Sequence, residues 1–193
     1  MPRPLAFFGA FNPPTVAHVD LAHFALKQLG APFVTFVPSK SRYIQDDQGK
    51  DFAYSDGQRL AMLRAAAASR PWMRVTDWEL RQPAQPRTYH TLCALREETG
   101  DAPALLMGSD KLPELAGGWL YVPEIAREFG IVCLARGQDA CQEMIQGDPF
   151  LRSLGIRVVE TPPDTRNVSS SAVRQRLAEI RAMVPEEVCP LLF

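Results

Sequence analysis

The residues near the N-terminus that are best suited to do chemistry lie where a short apolar run gives way to a helical pattern. Gly9 has no side chain, so a ligand can approach its backbone closely. Thr15 is a suitable N-cap for the helix that follows, which places His18 in the first turn. A helix N-terminus attracts anions, and an imidazole there can donate a hydrogen bond to a phosphate oxygen as charge develops. The segment therefore predicts a phosphate-binding site.

A second group of residues near the C-terminus predicts the same chemistry. Ser169 and Ser170 precede a helical pattern, where serine hydroxyls and the free backbone N–H groups of the first turn can bind an anion. Arg174 follows one turn later, so its guanidinium can reach an anion held there. Each segment has a plainer interpretation when taken alone. For the C-terminal segment this is ordinary helix capping with a solvated Arg174. For the N-terminal segment it is a rigid Asn12–Pro14 turn with His18 on the surface.

The composition narrows the classes of protein to consider. A chain of 193 residues favours one domain, spanning residues 1–193, and 46% hydrophobic with 22% charged residues is typical of a globular protein. A net charge of −1 without a basic tail argues against nucleic acid as the main partner. No apolar stretch approaches the roughly 20 residues of a membrane helix. The four cysteines lack the spacing of metal or redox motifs, so we expect reduced cysteines in a cytoplasmic protein.

The elements that must position these residues follow from hydrophobic periodicity. Short apolar runs alternate with helical patterns, which is typical of a parallel sheet in an α/β protein. Strands are predicted at residues 5–8, 33–37, 73–76, 104–107, 131–134 and 157–159. Helices are predicted at residues 16–29, around 60–67, at 91–98, after residue 169 and, as a short closing helix, from residue 185. The predicted fold class is a doubly wound, Rossmann-like α/β domain with a parallel sheet flanked by helices, whose ligands lie beyond the carboxyl ends of the strands.

Two further expectations concern the first half of the chain. The polar stretch Ser39–Asp56 is long for a connection in a compact domain, which makes it a candidate binding loop. In the helix that follows it, the spacing of Leu60, Leu63 and Ala67 predicts the buried face.

The N-terminal segment resembles a known signature. It is similar to the Gly-x-Phe-(Asp/Asn)-Pro-x-(His/Thr)-x-x-His string of the adenylyltransferases related to class I aminoacyl-tRNA synthetases, with Thr15 and His18 at the ends of the four-residue core. Residues 168–174 are similar to the Ile-Ser-Ser-Thr-x-x-Arg motif of the same family. Strings between these motifs, among them residues 59–63 and 108–112, resemble the bacterial nicotinate-nucleotide adenylyltransferases. The resemblance spans nearly the whole chain.

This resemblance implies a reaction and a set of site residues. The 5′-phosphate of a pyridine mononucleotide would attack the α-phosphorus of Mg–ATP directly, with pyrophosphate leaving and no protein nucleophile. The implied catalytic residues are His18 and Arg174. The implied ATP-binding residues are Gly9, Ala10, Phe11, Thr15, His18, Gly108, Asp110, Ser169, Ser170 and Arg174, and those for the second substrate are Lys40, Thr88, Trp119 and Arg136. Mg²⁺ would be carried with ATP, and no metal site built from protein side chains is expected.

The chain departs from the family pattern on the side of the second substrate. Members often have Ser-Tyr-Thr-x-Asp-Thr-Leu, where residues 86–92 read Pro-Arg-Thr-Tyr-His-Thr-Leu. The family's Pro-His-Lys string is also absent, and Lys40 or Arg42 is the candidate to supply its positive charge. Asp110 has a simpler interpretation as a helix cap, Trp119 as a core anchor and Arg136 as a surface residue.

The ATP side is therefore better determined than the acceptor. Phosphopantetheine adenylyltransferase is one alternative, and a non-catalytic nucleotide-binding protein is another. The sequence leaves open whether the acceptor is the nicotinate or the nicotinamide mononucleotide, and whether the protein forms a homo-oligomer.

Overall fold

The computed structural model describes residues 2–48, 54–135, 140–161 and 183–192. Six parallel strands form one sheet in the order β3-β2-β1-β4-β5-β6. The strands are β1 (Leu5–Gly9), β2 (Val34–Pro38), β3 (Met73–Val75), β4 (Ala104–Gly108), β5 (Ile131–Ala135) and β6 (Arg157–Glu160). This order confirms the predicted doubly wound α/β class.

Helices connect and cover the strands. They are α1 (Val16–Leu29), α2 (Ser41–Gln48), α3 (Asp56–Ala68), α4 (Trp78–Arg81), α5 (Thr88–Thr99), α6 (Leu112–Ala116), α7 (Val122–Glu128), α8 (Cys141–Gly147) and α9 (Pro149–Ser153). Short 3-10 helices lie at Ser109–Lys111 and at Glu186–Leu191, the latter being the predicted closing helix. Helix α1 has its predicted bounds because Thr15 caps its start and Gly30, with a φ of 63°, ends it.

The sheet separates two hydrophobic cores because side chains alternate between its faces. Leu5 and Phe7 of β1 point into one core, together with residues of α1 and α3. Ala6 points into the other, with residues of α5, α6 and α7. The central strands are thus buried on both faces, and their carboxyl ends are where a ligand can reach them.

The chain changes direction across the sheet between β1 and β4. From β1 it continues to β2 and β3 on one side, and β4 then returns to pair with β1 on the other. Gly9 pairs with Pro38 of β2, whereas the pairing of β1 with β4 ends at Phe7 opposite Leu106, two residues before Gly9. In doubly wound sheets such a point opens a crevice for ligands.

Two expectations about the first half of the chain need correction. The stretch Ser39–Asp56 is not simply a loop, because it contains helix α2. The buried residues of α3 are Arg59, Met62, Leu63 and Ala66, whereas Leu60 and Ala67 are half-buried. The buried face of α3 differs from the predicted one because the side chain of Arg59 lies inside the protein, where it contacts polar groups.

Two further expectations concern helices. The helix predicted after Ser169 lies outside the described residues. Within the described ranges, no helix is long and apolar enough to cross a membrane.

Candidate active site

His18 is held in a defined orientation at the start of α1. The backbone N–H of Thr15 donates to His18 Nδ1 at 3.0 Å, and the Thr15 hydroxyl oxygen lies 2.7 Å from the same nitrogen. The backbone N–H of His18 donates back to Thr15 Oγ1 at 3.4 Å, which completes a reciprocal cap. A backbone N–H can only donate, so Nδ1 is an acceptor and the proton of the neutral ring is on Nε2. His18 is therefore a hydrogen-bond donor through Nε2.

The ring of Phe11 supports His18 from the core side. Phe11 is buried, and its ring packs edge-to-face against the His18 ring with centroids 5.2 Å apart. It also packs against Phe7 and Phe36. A Cβ added to Gly9 would lie 3.0–3.3 Å from the Phe11 ring. The structure therefore gives Gly9 a role in packing: its missing side chain leaves room for the ring behind His18.

Arg59 joins the two loops that follow β1 and β2. Its side chain is fully buried, and its guanidinium donates to the carbonyl oxygen of Ala10 and, at 2.6 Å, to that of Ser39. It also forms an ion pair with Asp56 at 2.7 Å. Burial works against ionisation of Asp56, but hydrogen bonds from Ser41 and Arg59 together keep the pKa of this carboxyl below its usual value. Arg59 thus ties the backbone that follows β1 to the backbone that follows β2.

The end of β4 forms the other side of the crevice. Gly108 ends the strand, and Ser109 and Asp110 follow in a 3-10 turn. The side chain of Asp110 is exposed, and neither this turn nor α6 takes a side-chain cap from it. The simpler interpretation of Asp110 as a helix cap is therefore wrong.

The candidates for the second substrate lie on several elements around the same edge. Lys40 follows β2, and its Nζ donates to the carbonyl oxygen of Leu80 at 2.7 Å. Thr88 is the first residue of α5 and is half-buried. Trp119 is partly buried and packs against the core on the α5 side of the sheet.

Around Tyr121, two positions after Trp119 in the sequence, the structure shows an aromatic cluster that the sequence analysis did not identify. The rings of Tyr89 and Tyr121 stack with centroids 5.3 Å apart, and the ring of His90 lies 5.3 Å from that of Tyr121. Tyr121 has a φ of 66° and is 40% exposed. Nothing in the local spacing signals this cluster, because Tyr121 is brought to α5 by the tertiary fold.

The remaining candidate residues belong to parts of the chain that the structure does not describe. Arg136 and the C-terminal motif, with Ser169, Ser170 and Arg174, lie outside the described residues. In the ranges that are described, no group of three or more His, Cys, Asp or Glu side chains could hold a metal ion.

The fold and the site define the class of protein. A doubly wound parallel sheet that carries an oriented histidine at the first helix N-terminus, beside the topological switch point, is a nucleotide-binding α/β domain. The family model described as cytidylyltransferase-like matches residues 6–176, and the chain belongs to this family.

Similar proteins agree on one type of enzyme. A protein of Trichlorobacter lovleyi named "Probable nicotinate-nucleotide adenylyltransferase" is 32% identical, over 93% of this chain and 91% of its own length. The Arabidopsis thaliana "Nicotinamide/nicotinic acid mononucleotide adenylyltransferase" is 29% identical, over 86% of this chain and 76% of its own length. The resemblance stated from the sequence motifs is thereby confirmed.

A solved structure shares the fold. The nicotinic acid mononucleotide adenylyltransferase of Plasmodium falciparum, complexed with NaAD, superposes with a TM-score of 0.72 and covers 98% of this chain and 93% of its own. At 16% identity this likeness concerns the fold alone.

Proposed function

We propose that this protein is a nucleotidyltransferase that transfers the adenylyl group of ATP to nicotinate mononucleotide, or to its amide, and releases pyrophosphate in NAD biosynthesis. The observation that carries the proposal is the orientation of His18 at the N-terminus of α1, with Nδ1 occupied by the Thr15 backbone. The names of the similar proteins support the same reaction.

In this proposal the protein stabilises charge and positions the substrates, with no covalent intermediate. The mononucleotide phosphate attacks the α-phosphorus of ATP in line, and the bond to pyrophosphate breaks. His18 Nε2 donates to a phosphate oxygen as negative charge develops, and Arg174 neutralises charge on the same phosphates, with Ser169 and Ser170 holding them. Mg²⁺ enters with ATP as part of the substrate.

The adenosine and the acceptor occupy opposite parts of the crevice in this proposal. Gly108 allows the ligand to approach the end of β4, and Asp110 accepts from ribose hydroxyls. Lys40, Thr88, Trp119 and Arg136 serve the acceptor. We place the reaction in the cytoplasm, where the four cysteines, none of which forms a disulfide, stay reduced.

The test is pyrophosphate release from Mg–ATP with nicotinate mononucleotide, nicotinamide mononucleotide and phosphopantetheine in parallel reactions. Release with a pyridine mononucleotide is expected, and the ratio of kcat/KM for the two forms identifies the preferred acceptor. Release with phosphopantetheine alone would overturn the proposal. ATP binding without release for any acceptor would assign the protein to the non-catalytic class.

A further inference from the structure

A buried carboxylate links the elements around the acceptor candidates. The Glu79 side chain is 1% exposed, although it stands in the short helix α4 close to the protein surface. Its Oε1 accepts from the Thr91 hydroxyl at 2.8 Å and its Oε2 from the Gln85 amide at 2.5 Å. Ser39 is a further polar neighbour, and its hydroxyl acts to lower the pKa of this carboxyl. A carboxylate is costly to bury without such donors, so these contacts are needed together.

Lys40 contacts the residues around Glu79 and connects them to the end of β2. The backbone N–H of Lys40 donates to Gln85 Oε1 at 2.8 Å, while Lys40 Nζ donates to the Leu80 carbonyl. The amide of Gln85 therefore donates to Glu79 and accepts from Lys40 at the same time. We call this group of neighbouring residues the Glu79 network, which comprises Ser39, Lys40, Glu79, Gln85 and Thr91.

The Glu79 network lies where an acceptor would have to bind. It joins the carboxyl end of β2, helix α4, the loop before α5 and the first turn of α5. Two acceptor candidates depend on it directly: Lys40 is a member, and Thr88 begins the turn that Thr91 anchors. Because β2 is next to β1, the network stands beside the crevice that also holds His18.

We propose that Glu79 is a positioning residue for the acceptor mononucleotide, and that it acts by holding the backbone around Lys40 and Thr88 in the binding conformation. This inference rests on the proposed function and adds to it a residue that need not touch either substrate. Without the carboxylate, the loop of residues 82–87 loses the contact from Gln85 to α4 and keeps only the weaker support of the Lys40 backbone, whereas the ATP side keeps its own support through Arg59.

The protonation state of Glu79 gives this role a distinctive pH dependence. Burial raises the pKa of Glu79 to about 7, against the opposing effect of its hydrogen bonds and of the Lys40 charge. Lys40 is the charged group that acts on it from the end of β2, while its contacts from the loop and from α5 are the neutral Gln85 and Thr91. The ionised carboxylate accepts from all its partners, but the neutral acid must donate with one oxygen. Each donor therefore gains an acceptor as pH rises through the pKa, although the buried charge costs the folded state more than these hydrogen bonds return.

Steady-state kinetics of Glu79→Gln test the proposal, because glutamine keeps the shape and removes the charge. At about pH 8 the KM for the pyridine mononucleotide should rise about tenfold, the effect of one lost hydrogen bond to a charged group, while the KM for ATP stays within about twofold. The ratio of kcat/KM for the mononucleotide in the wild type to that in Glu79→Gln should grow as pH rises from about 6 to 8. Thr91→Val, which removes one donor with little change of volume, should raise the acceptor KM in the same way.

Amide hydrogen exchange provides a readout that does not depend on turnover. In Glu79→Gln, amides of residues 82–88 should exchange faster while those of α1 keep wild-type protection. Glu187→Gln is the matched control, because Glu187 also joins two elements through a serine and an arginine, Ser69 and Arg70, but away from the crevice. It should leave both KM values unchanged.

Different results separate this inference from the proposed function. A wild type that releases no pyrophosphate with either mononucleotide refutes the function, and with it the role of Glu79. If the wild type is active, the role of Glu79 alone is refuted when Glu79→Gln and Thr91→Val change both KM values equally or change neither. It is also refuted when amide exchange at residues 82–88 is the same in Glu79→Gln as in the wild type.

Discussion

The hydroxyl oxygen of Thr15 lies 2.7 Å from Nδ1 of His18, and the backbone N–H of Thr15 donates to the same nitrogen at 3.0 Å. Thr15 itself is fully buried. In the family signature this position carries His or Thr, and the resemblance assigns it to ATP. Its contacts in this structure are with the histidine, so here Thr15 orients the residue that would meet the phosphates.

Thr15→Val should therefore weaken the effect of His18 without removing it. Valine keeps the volume but loses the hydroxyl that lies against Nδ1, so we expect kcat to fall about tenfold, with a stability loss of about 1 kcal/mol from the cap. Nitrogen NMR of the His18 ring should show the Nε2–H tautomer in both proteins, because the backbone N–H of residue 15 still donates to Nδ1. Thr15→Ser should restore kcat; a serine variant as slow as valine would contradict this role.

His18→Ala should lower turnover by about two orders of magnitude or more, because one transition-state donor is lost. A matched control lies on the same helix: His23 stacks on Trp72 with ring centroids 4.7 Å apart and has no part in the proposed site. His23→Ala should retain kcat. Rapid-quench measurement of a single turnover would report the chemical step directly, and a near-normal rate in His18→Ala would remove His18 from the mechanism.

Arg59→Met should destabilise the protein by about 3 kcal/mol, because it leaves two loop carbonyl oxygens without their donor and the half-buried Asp56 without its cation. Urea unfolding measures this free energy. Arg64→Met provides the comparison in the same helix, since the Arg64 side chain is 59% exposed and pairs with Asp77 at 3.4 Å. It should change the free energy of unfolding by no more than about 0.5 kcal/mol. Equal losses for the two variants would show that Arg59 has no special role.

The raised pKa of Glu79 predicts how stability depends on pH. In the unfolded chain the pKa of Glu79 is near its ordinary value of 4.5, whereas in the folded protein the pKa is raised to about 7. Between these values the folded state binds more protons, so its stability falls as pH rises. The loss from this group is at most roughly 3 kcal/mol.

Glu79→Gln removes this contribution, so its free energy of unfolding relative to wild type should increase between about pH 4.5 and 7 and stay level outside that window. Chemical denaturation of both proteins at several pH values measures the difference, which cancels the contributions of the other carboxyls. A difference that is constant with pH would place the pKa of Glu79 near its ordinary value.

Much of the fold followed from local patterns. Strand β1 and helix α1 were predicted with nearly their observed bounds, because an apolar run ending in glycine and a threonine cap are local signals. The short helices α4 and α6 were missed, since segments of four or five residues carry too little periodicity to distinguish them from loops.

The buried face of α3 shows a signal that could have been used. Arg59 precedes Met62, Leu63 and Ala66 by three, four and seven positions, so it lies on the same stripe as these buried residues. A charged residue on such a stripe indicates a cation with partners inside the protein. Which partners these are could not be predicted, because the carbonyls of Ala10 and Ser39 are distant in the sequence.

The α/β class, the strand ends that carry Gly9 and Gly108, and the position of His18 in the first turn of α1 were all predictable from the amino-acid sequence. These depend on periodicity, caps and spacing, which are local properties of the chain. The contacts of Thr15 and Phe11 with His18, and of the Glu79 carboxylate with Gln85 and Thr91, required the folded structure. The reason is physical: hydrogen bonds and burial depend on which groups the fold brings into contact, and those groups come from separate elements of the sheet.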